Sequence, residues 1–152
     1  MPKPILLVDD DAFDRDLALR SLSRCGLNQE VATACDGEEA LDYLLRRNSF
    51  ATRGEGNPTL ILLDIKIPKR NGIDVLHHIR TSDQLRLIPV VMLTSSCQET
   101  DVVRCYEIGA NAYVVKPLGF KELNEVVREI TTFWMGRNQP PPGCLRPSFP
   151  NN

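Results

Sequence analysis

The sequence has no long hydrophobic run and no large excess of charge of one sign. Its first apolar segment follows Pro4 and ends in acids after Val8, too soon for a signal peptide or a membrane span. A formal charge of −2 gives no electrostatic reason to expect a nucleic acid or an anionic membrane as the main partner. We therefore expect a cytoplasmic protein that binds neither nucleic acid nor membrane.

Cysteines with metal-ligand spacing are also missing. The five cysteines include no CxxC pair and no neighbouring histidine cluster, which argues against a zinc site and a disulfide framework. What remains is the composition of an ordinary domain, with 42% hydrophobic and 25% charged residues. A chain of 152 residues can bury one sizeable core.

Five apolar segments are predicted strands, and a segment with helical spacing follows each of them. The main apolar runs are continuous rather than alternating, which is typical of parallel strands covered on both faces. The predicted strands are Ile5–Val8, Glu30–Ala34, Leu60–Leu63, Val90–Leu93 and Ala112–Val115, and the predicted helices are Phe13–Cys25, Glu38–Arg46, Ile73–Arg80, Glu99–Ile108 and Phe120–Phe133. This alternation indicates an α/β fold with three layers and a doubly wound sheet.

Two stretches do not fit this alternation of strands and helices. Residues 48–58, with Gly54, Gly56 and Pro58, form a long polar loop before the third predicted strand. After Trp134 the proline content rises, which predicts that the helix stops there and that an extended arm follows. We therefore divide the chain into a domain of residues 1–135 and a proline-rich arm of residues 136–152.

Chemically active side chains follow four of the predicted strands. The first strand ends in Asp9-Asp10-Asp11, the third in Asp64, the fourth in Thr94-Ser95 and the fifth in Lys116-Pro117. Ligands of doubly wound folds collect at this edge of the sheet, so the groups should converge. Clustered carboxylates repel one another unless a cation is present, and hard oxygen ligands suit Mg²⁺. A carboxylate beside Mg²⁺, a hydroxyl and an ammonium meets the needs of phosphoryl transfer.

These motifs together resemble the receiver domains of two-component signalling. The match rests on Val8-Asp9-Asp10-Asp11, Leu63-Asp64-Ile65-Lys66-Ile67-Pro68 through Gly72, Leu93-Thr94-Ser95 and Tyr113-Val114-Val115-Lys116-Pro117, and it spans about residues 4–134. The resemblance implies a flavodoxin-like sheet with strand order 2-1-3-4-5 and five helices. It also implies a response regulator, not an enzyme, that accepts a phosphoryl group from a histidine kinase.

The resemblance assigns a role to each matching position. It implies that Asp64 is phosphorylated and that Mg²⁺ is held by Asp9, Asp10, Asp64 and the main-chain carbonyl of Lys66. Thr94 and Lys116 would bind the phosphoryl oxygens, and Tyr113 would report the state by turning inward. With no effector domain after the receiver, we expect output through contacts between proteins.

A narrower resemblance points to the regulators that serve bacterial and cyanobacterial phytochrome kinases. It rests on the loop of residues 48–58, the Asn111-Ala112-Tyr113 step and a last helix closing on Phe133-Trp134. The resemblance implies a phytochrome-type kinase as the partner and a homodimer. Apolar residues Phe133, Trp134, Leu145 and Phe149 would be left in water by a monomer, so we predict that they form the dimer interface.

Two other functions are open to the same residues. Asp9-Asp10-Asp11 contains the Asp-x-Asp of haloacid-dehalogenase-type phosphatases, in which the first Asp is the nucleophile, although Phe13 stands where that family has Thr or Val. The second alternative is an adaptor that keeps the fold and binds partners without phosphorylation. A phosphatase would be modified on Asp9 and a receiver on Asp64. A chain that accepts no phosphoryl group would instead favour the adaptor.

Overall fold

The computed structural model describes residues 2–27 and 30–146. Five parallel strands form one sheet in the order β2-β1-β3-β4-β5, which confirms the predicted doubly wound topology. The strands are β1 (Ile5–Val8), β2 (Val31–Ala34), β3 (Leu60–Leu63), β4 (Val90–Thr94) and β5 (Ala112–Val115). No helix among these residues is long and apolar enough to cross a membrane.

Five helices alternate with the strands, as predicted, and most of their ends move by only one residue. They are α1 (Ala12–Arg24), α2 (Gly37–Leu45), α3 (Gly72–Thr81), α4 (Glu99–Ile108) and α5 (Phe120–Thr131). The first three begin one residue earlier than predicted because the preceding side chains cap them. Asp11, Asp36 and Asn71 each accept a hydrogen bond from the main-chain N–H three residues later.

The two faces of the sheet are covered by different helices. Alternate residues of β1 and β3, such as Leu6 and Ile61, pack with α2, α3 and α4, and their neighbours Leu7 and Leu62 pack with α1 and α5. β1 and β3 are buried on both faces, which explains their continuous apolar sequences. This burial fixes the positions of the residues that follow each strand.

The prediction that the last helix stops at Trp134 is wrong. A π-helical turn, Thr132–Arg137, continues α5, and its Met135 is buried in the core beneath α1 and α5. Trp134 packs against the same core and meets the Phe133 ring edge-on, with the ring centroids 5.0 Å apart. The helical hydrogen bonds end at Asn138, ahead of the prolines.

The described part of the arm folds back on its own chain. Asn57 and Cys144 form a parallel β-bridge, in which the Asn57 N–H donates to the Gly143 carbonyl at 3.0 Å and the Leu145 N–H donates to the Asn57 carbonyl at 2.8 Å. Leu145 is half-buried and lies beside Gly56, so a single chain already covers part of this side chain. The predicted interface residue Phe149 lies outside the described residues.

The loop of residues 48–58 is ordered by one arginine. After a short 3₁₀ turn at Asn48–Phe50, the Arg53 guanidinium donates to the carbonyls of Tyr43, Leu44, Gly54 and Gly56. It also lies over the Tyr43 ring, 4.6 Å from the ring centroid. The loop therefore contacts the end of α2 rather than extending into solvent.

Candidate functional site

The carboxyl ends of β1 and β3 bring three aspartates together. Asp9 and Asp10 follow β1 and Asp64 follows β3, and one carboxylate oxygen from each lies within 4.8 Å of the others. Asp9 and Asp64 are buried, and Asp10 is exposed. The sequence prediction that these side chains converge is confirmed.

Lys116, which follows β5, places its ammonium among these carboxylates. Its Nζ lies 2.6 Å from Asp9 Oδ2 and 2.9 Å from Asp64 Oδ2. All three side chains are less than a tenth exposed, so the ion pairs are shielded from solvent. The cluster thus holds three carboxylates and one ammonium.

Burial and charge act in opposite directions on the pKa values of the cluster. Burial raises the pKa of Asp9, although the hydrogen bond and charge of Lys116 work against that shift. Burial alone would lower the pKa of Lys116, but hydrogen bonds to Asp9 and Asp64 and their charges outweigh it, and the net shift is upward. Lys116 therefore remains an ammonium at neutral pH.

The donor set suits a divalent cation. Asp9, Asp10 and Asp64 offer hard oxygen atoms at one point, and one ammonium does not neutralise three carboxylates. The exposed position of Asp10 leaves room for water to complete a coordination shell. Lys66, whose carbonyl is the fourth predicted ligand, lies exposed two residues beyond Asp64.

Helix α1 contributes residues that the sequence analysis missed. Asp14, in its first turn, has Oδ2 3.1 Å from Lys116 Nζ, and Arg15 donates to the main-chain carbonyl of Asp9 at 2.9 Å. Asp11 caps the helix through the N–H of Asp14. The sequence indicated only that Asp11 and Asp14 lie one helical turn apart at the start of a helix beside the site, and not that Asp14 meets Lys116.

The end of β4 carries the predicted hydroxyl. Thr94 is fully buried, and its Oγ1 accepts from the Ser96 N–H at 3.3 Å. Ser96 Oγ donates to Asp101 Oδ2 of α4 at 2.5 Å, and the Tyr113 hydroxyl donates to the Ser96 carbonyl at 2.9 Å. Burial raises the pKa of Tyr113, so its hydroxyl stays a donor. Asp101 is a further residue that the sequence analysis missed.

The segment after Asp64 is held tightly against α3. Asp64 Oδ1 accepts from the Ile65 N–H at 2.7 Å, and the Gly72 N–H donates to the Ile65 carbonyl at 2.7 Å. A Cβ at Gly72 would overlap the Asp64 carbonyl group, with the carbonyl carbon only 2.8 Å away. Only glycine permits this approach, so Gly72 fixes the main chain at Asp64.

The other predicted interface residues lie away from this site. Phe133 is half exposed and Trp134 is half-buried at the end of α5. Leu145 lies beside Gly56, close enough that a Cβ on that glycine would meet its side chain. These residues do not join the acidic cluster.

Known proteins share this arrangement. The profile of the response regulator receiver domain matches residues 5–128. Response regulator Rcp1 of Synechocystis sp. (strain ATCC 27184 / PCC 6803 / Kazusa) is 37% identical over 134 residues, which cover 88% of this chain and 90% of Rcp1. The crystal structure of its Mn²⁺-bound form superimposes with a TM-score of 0.84 at 36% identity and covers 92% of this chain and 99% of that one.

Two further solved structures are similar. The phosphorylated cyanobacterial phytochrome response regulator RcpA is 35% identical with a TM-score of 0.86, and the match covers 93% of this chain and 99% of RcpA. The bacteriophytochrome response regulator RtBRR is 55% identical with a TM-score of 0.73, over 94% of this chain and 86% of that chain. With the strand order and the acidic cluster already established, these matches show that the chain belongs to the response regulator receiver domain family.

Proposed function

We propose that this receiver domain accepts a phosphoryl group on Asp64 in a Mg²⁺-dependent reaction. The observation that carries the proposal is the position of the Asp64 carboxylate, 2.9 Å from the Lys116 ammonium and beside Asp9 and Asp10. The site therefore brings a nucleophilic Asp64 oxygen next to the buried Lys116 ammonium and to the carboxylate oxygens of Asp9 and Asp10, which can hold a metal. Phosphoryl transfer needs this combination of positioning and positive charge.

In the proposed reaction, a carboxylate oxygen of Asp64 bonds to phosphorus as the phosphorus–nitrogen bond of a phosphohistidine breaks. Asp64 Oδ1 accepts from the Ile65 N–H, which leaves Oδ2 as the oxygen beside the ammonium. Lys116 would move from Asp64 to a phosphoryl oxygen, and Thr94 would donate to another. Mg²⁺ held by Asp9, Asp10, Asp64 and the Lys66 carbonyl would offset the negative charge of the phosphoryl oxygens.

Acetyl phosphate and Mg²⁺ test the acceptor without a kinase. We expect one phosphoryl group per chain, mapped to Asp64, and no label in Asp64→Asn. Label on Asp9 would instead support the phosphatase alternative, in which Asp9 is the nucleophile. A wild-type chain that takes no label from acetyl phosphate or from any kinase would support the adaptor alternative.

The metal assignment has its own test. Asp10 is exposed at the cluster, so Asp10→Ala should remove a ligand without disturbing the core. We expect this variant to lose Mg²⁺ binding while its circular dichroism spectrum stays that of the wild type. Retained Mg²⁺ affinity would contradict the assignment.

A phytochrome-type histidine kinase is the proposed partner. The support is similarity to proteins described as phytochrome or bacteriophytochrome response regulators, one of them 55% identical. The histidine kinases of the source organism can be compared for the rate of phosphotransfer to this chain. Fastest transfer from a kinase without a phytochrome module would refute this partner.

A homodimer is the proposed assembly, with residues 1–135 as the domain and residues 136–152 as an arm that reaches the partner. Phe133 is half exposed, and Val103, Tyr106 and Val115 add apolar surface on α4 and β5. The arm contacts in one chain involve main-chain atoms of Asn57, and the same contacts could form with a second copy. Trp134, Leu145 and Phe149 are the remaining proposed anchors.

Sedimentation of the full chain tests the dimer. We expect a dimer at tens of micromolar that dissociates when residues 136–152 are removed or when Phe133→Ala is made. Trp134→Ala is a less direct variant, because Trp134 also packs against its own core. A monomeric full chain would refute the assembly.

A further inference from the structure

Asp14 is a carboxylate at the site with no role in the proposed phosphoryl transfer. It lies in the first turn of α1, about one third of its side chain is exposed, and its Oδ2 is 3.1 Å from Lys116 Nζ. The same nitrogen contacts Asp9 at 2.6 Å and Asp64 at 2.9 Å. An ammonium has three N–H donors, so these three carboxylates use all of them.

Two of these partners are also the proposed ligands of the divalent cation. Lys116 and a divalent cation therefore compete for Asp9 and Asp64, and two cations at one pair of carboxylates repel each other. The Lys116 side chain is only 8% exposed, so water cannot readily replace a carboxylate that it gives up. Asp14 is the partner of Lys116 that lies outside the group of clustered metal-ligand candidates.

We propose that Asp14 is a positioning residue that lets Lys116 release Asp9 and Asp64 when a divalent cation binds. The ammonium then pairs with Asp14 on the α1 side while it stays close enough to Asp64 to meet a phosphoryl oxygen. This inference rests on the proposed function only for the identity of the metal ligands. It extends the site by one residue and gives α1 a part in metal binding.

The test is the affinity for Mn²⁺ alone, measured by isothermal titration without any phosphodonor. Asp14→Asn should weaken Mn²⁺ binding about five- to tenfold, because the variant loses a nearby negative charge and the alternative partner of the ammonium. Asp16→Asn is the matched control, since Asp16 is on the same helix, pairs with Arg20 and is 65% exposed. This control should change the affinity by roughly twofold or less.

A double-mutant cycle separates the loss of charge from the contact with Lys116. In a Lys116→Met background no ammonium competes for the ligands, so Asp14→Asn should weaken Mn²⁺ binding less than it does in the wild-type background, by the loss of charge alone. With Lys116 present, Asp14→Glu should bind Mn²⁺ more tightly than Asp14→Asn, because it keeps the carboxylate. Equal effects of Asp14→Asn with and without Lys116, or equal effects of Asp14→Asn and Asp16→Asn, would overturn the inference.

Because Mn²⁺ affinity is measured without phosphorylation, the experiment tests this inference separately from the proposed function. If the wild type binds Mn²⁺ and the cycle shows no coupling, Asp14 has no positioning role and phosphorylation of Asp64 is unaffected as a proposal. If the wild type binds no Mn²⁺, the metal assignment fails and the Asp14 inference fails with it. Circular dichroism of each variant identifies any that do not fold.

Discussion

The hydroxyl of Tyr113 on β5 donates a hydrogen bond of 2.9 Å to the main-chain carbonyl of Ser96, just beyond β4. The contact ties the loop between β4 and α4 to the neighbouring strand. Ser96 is fixed from a second side by its hydroxyl bond of 2.5 Å to Asp101. The residues next to Thr94 are therefore held by two side chains from different elements.

Tyr113→Phe should lower the free energy of unfolding by about 0.5 to 1.5 kcal/mol, because one partly buried hydrogen bond is lost and the ring is kept. Urea denaturation measures the change. Tyr106→Phe is the control, since Tyr106 is half exposed on α4 and should show almost no change. Equal stability of Tyr113→Phe and the wild type would show that the hydroxyl contact contributes nothing.

The side chain of Lys66 should prolong the phosphorylated state. Lys66 is exposed two residues beyond Asp64, where its ammonium would pair with the phosphoryl oxygens and occlude an attacking water. The Ser96 hydroxyl is already engaged by Asp101. Lys66→Asn should shorten the lifetime of phosphorylated Asp64 about tenfold, because the occluding charge is replaced by an amide that can orient water.

Release of inorganic phosphate after removal of the phosphodonor gives this lifetime. Lys69→Asn is the control, because the Lys69 Nζ pairs with Asp36 Oδ2 at 3.5 Å rather than with Asp64. This control should leave the lifetime unchanged. An unchanged or longer lifetime in Lys66→Asn would rule the mechanism out.

Burial of Asp9 should make the metal-free domain less stable as pH rises. Its pKa in the folded chain is above the ordinary value of 3.8, so the folded state binds this proton more tightly than the unfolded state. The stabilising contribution is complete below that value and is lost as pH rises through the raised pKa. At neutral pH the charge of Asp9 is a cost to folding.

Asp9→Asn should therefore raise the free energy of unfolding near neutral pH in a chelator, and this gain should shrink towards about pH 4. The amide oxygen can still accept from the Asp11 N–H. Urea denaturation of both proteins between about pH 4 and pH 7 measures the difference in the free energy of unfolding. A less stable Asp9→Asn at neutral pH would mean that the ion pair with Lys116 outweighs the burial.

Gly72 should tolerate no side chain. Gly72→Ala should destabilise the domain by about 3 kcal/mol, because its methyl group would overlap the Asp64 carbonyl and the main chain would have to move. Gly136→Ala is the matched control, since nothing lies within 4 Å of a Cβ there. Thermal unfolding of the two variants compares them, and equal midpoints would contradict the tight fit.

The sequence was sufficient for the sheet because its signals were local. β1, β3 and β5 have the predicted bounds, and their residues are apolar runs that end in functional side chains. The start of α1 was displaced by one residue, since Asp11 can be read as a strand end or as a helix cap. The π-helical turn was missed because burial of Met135 depends on packing against α1 and α5 rather than on helix propensity.

The acidic cluster was also predictable, because parallel strands place their carboxyl ends at one edge. The contacts of Asp14 and Asp101 were not. Each depends on how a helix is oriented over the sheet, so that its first turn meets Lys116 or Ser96. Sequence spacing gives the face of a helix but not the side chain from another element that it meets.

β3 separates the arm from the acceptor. The arm pairs with Asn57 ahead of this strand, whereas Asp64 follows it, so the two positions are roughly 20 Å apart along an extended chain. All four residues of β3 are buried between two paired strands and two helical layers, which leaves the strand no room to slide. The strand is a rigid spacer, so a phosphoryl group added to Asp64 should not shift the main chain at Asn57. A dimer held together by the arm should therefore persist whether or not Asp64 is phosphorylated.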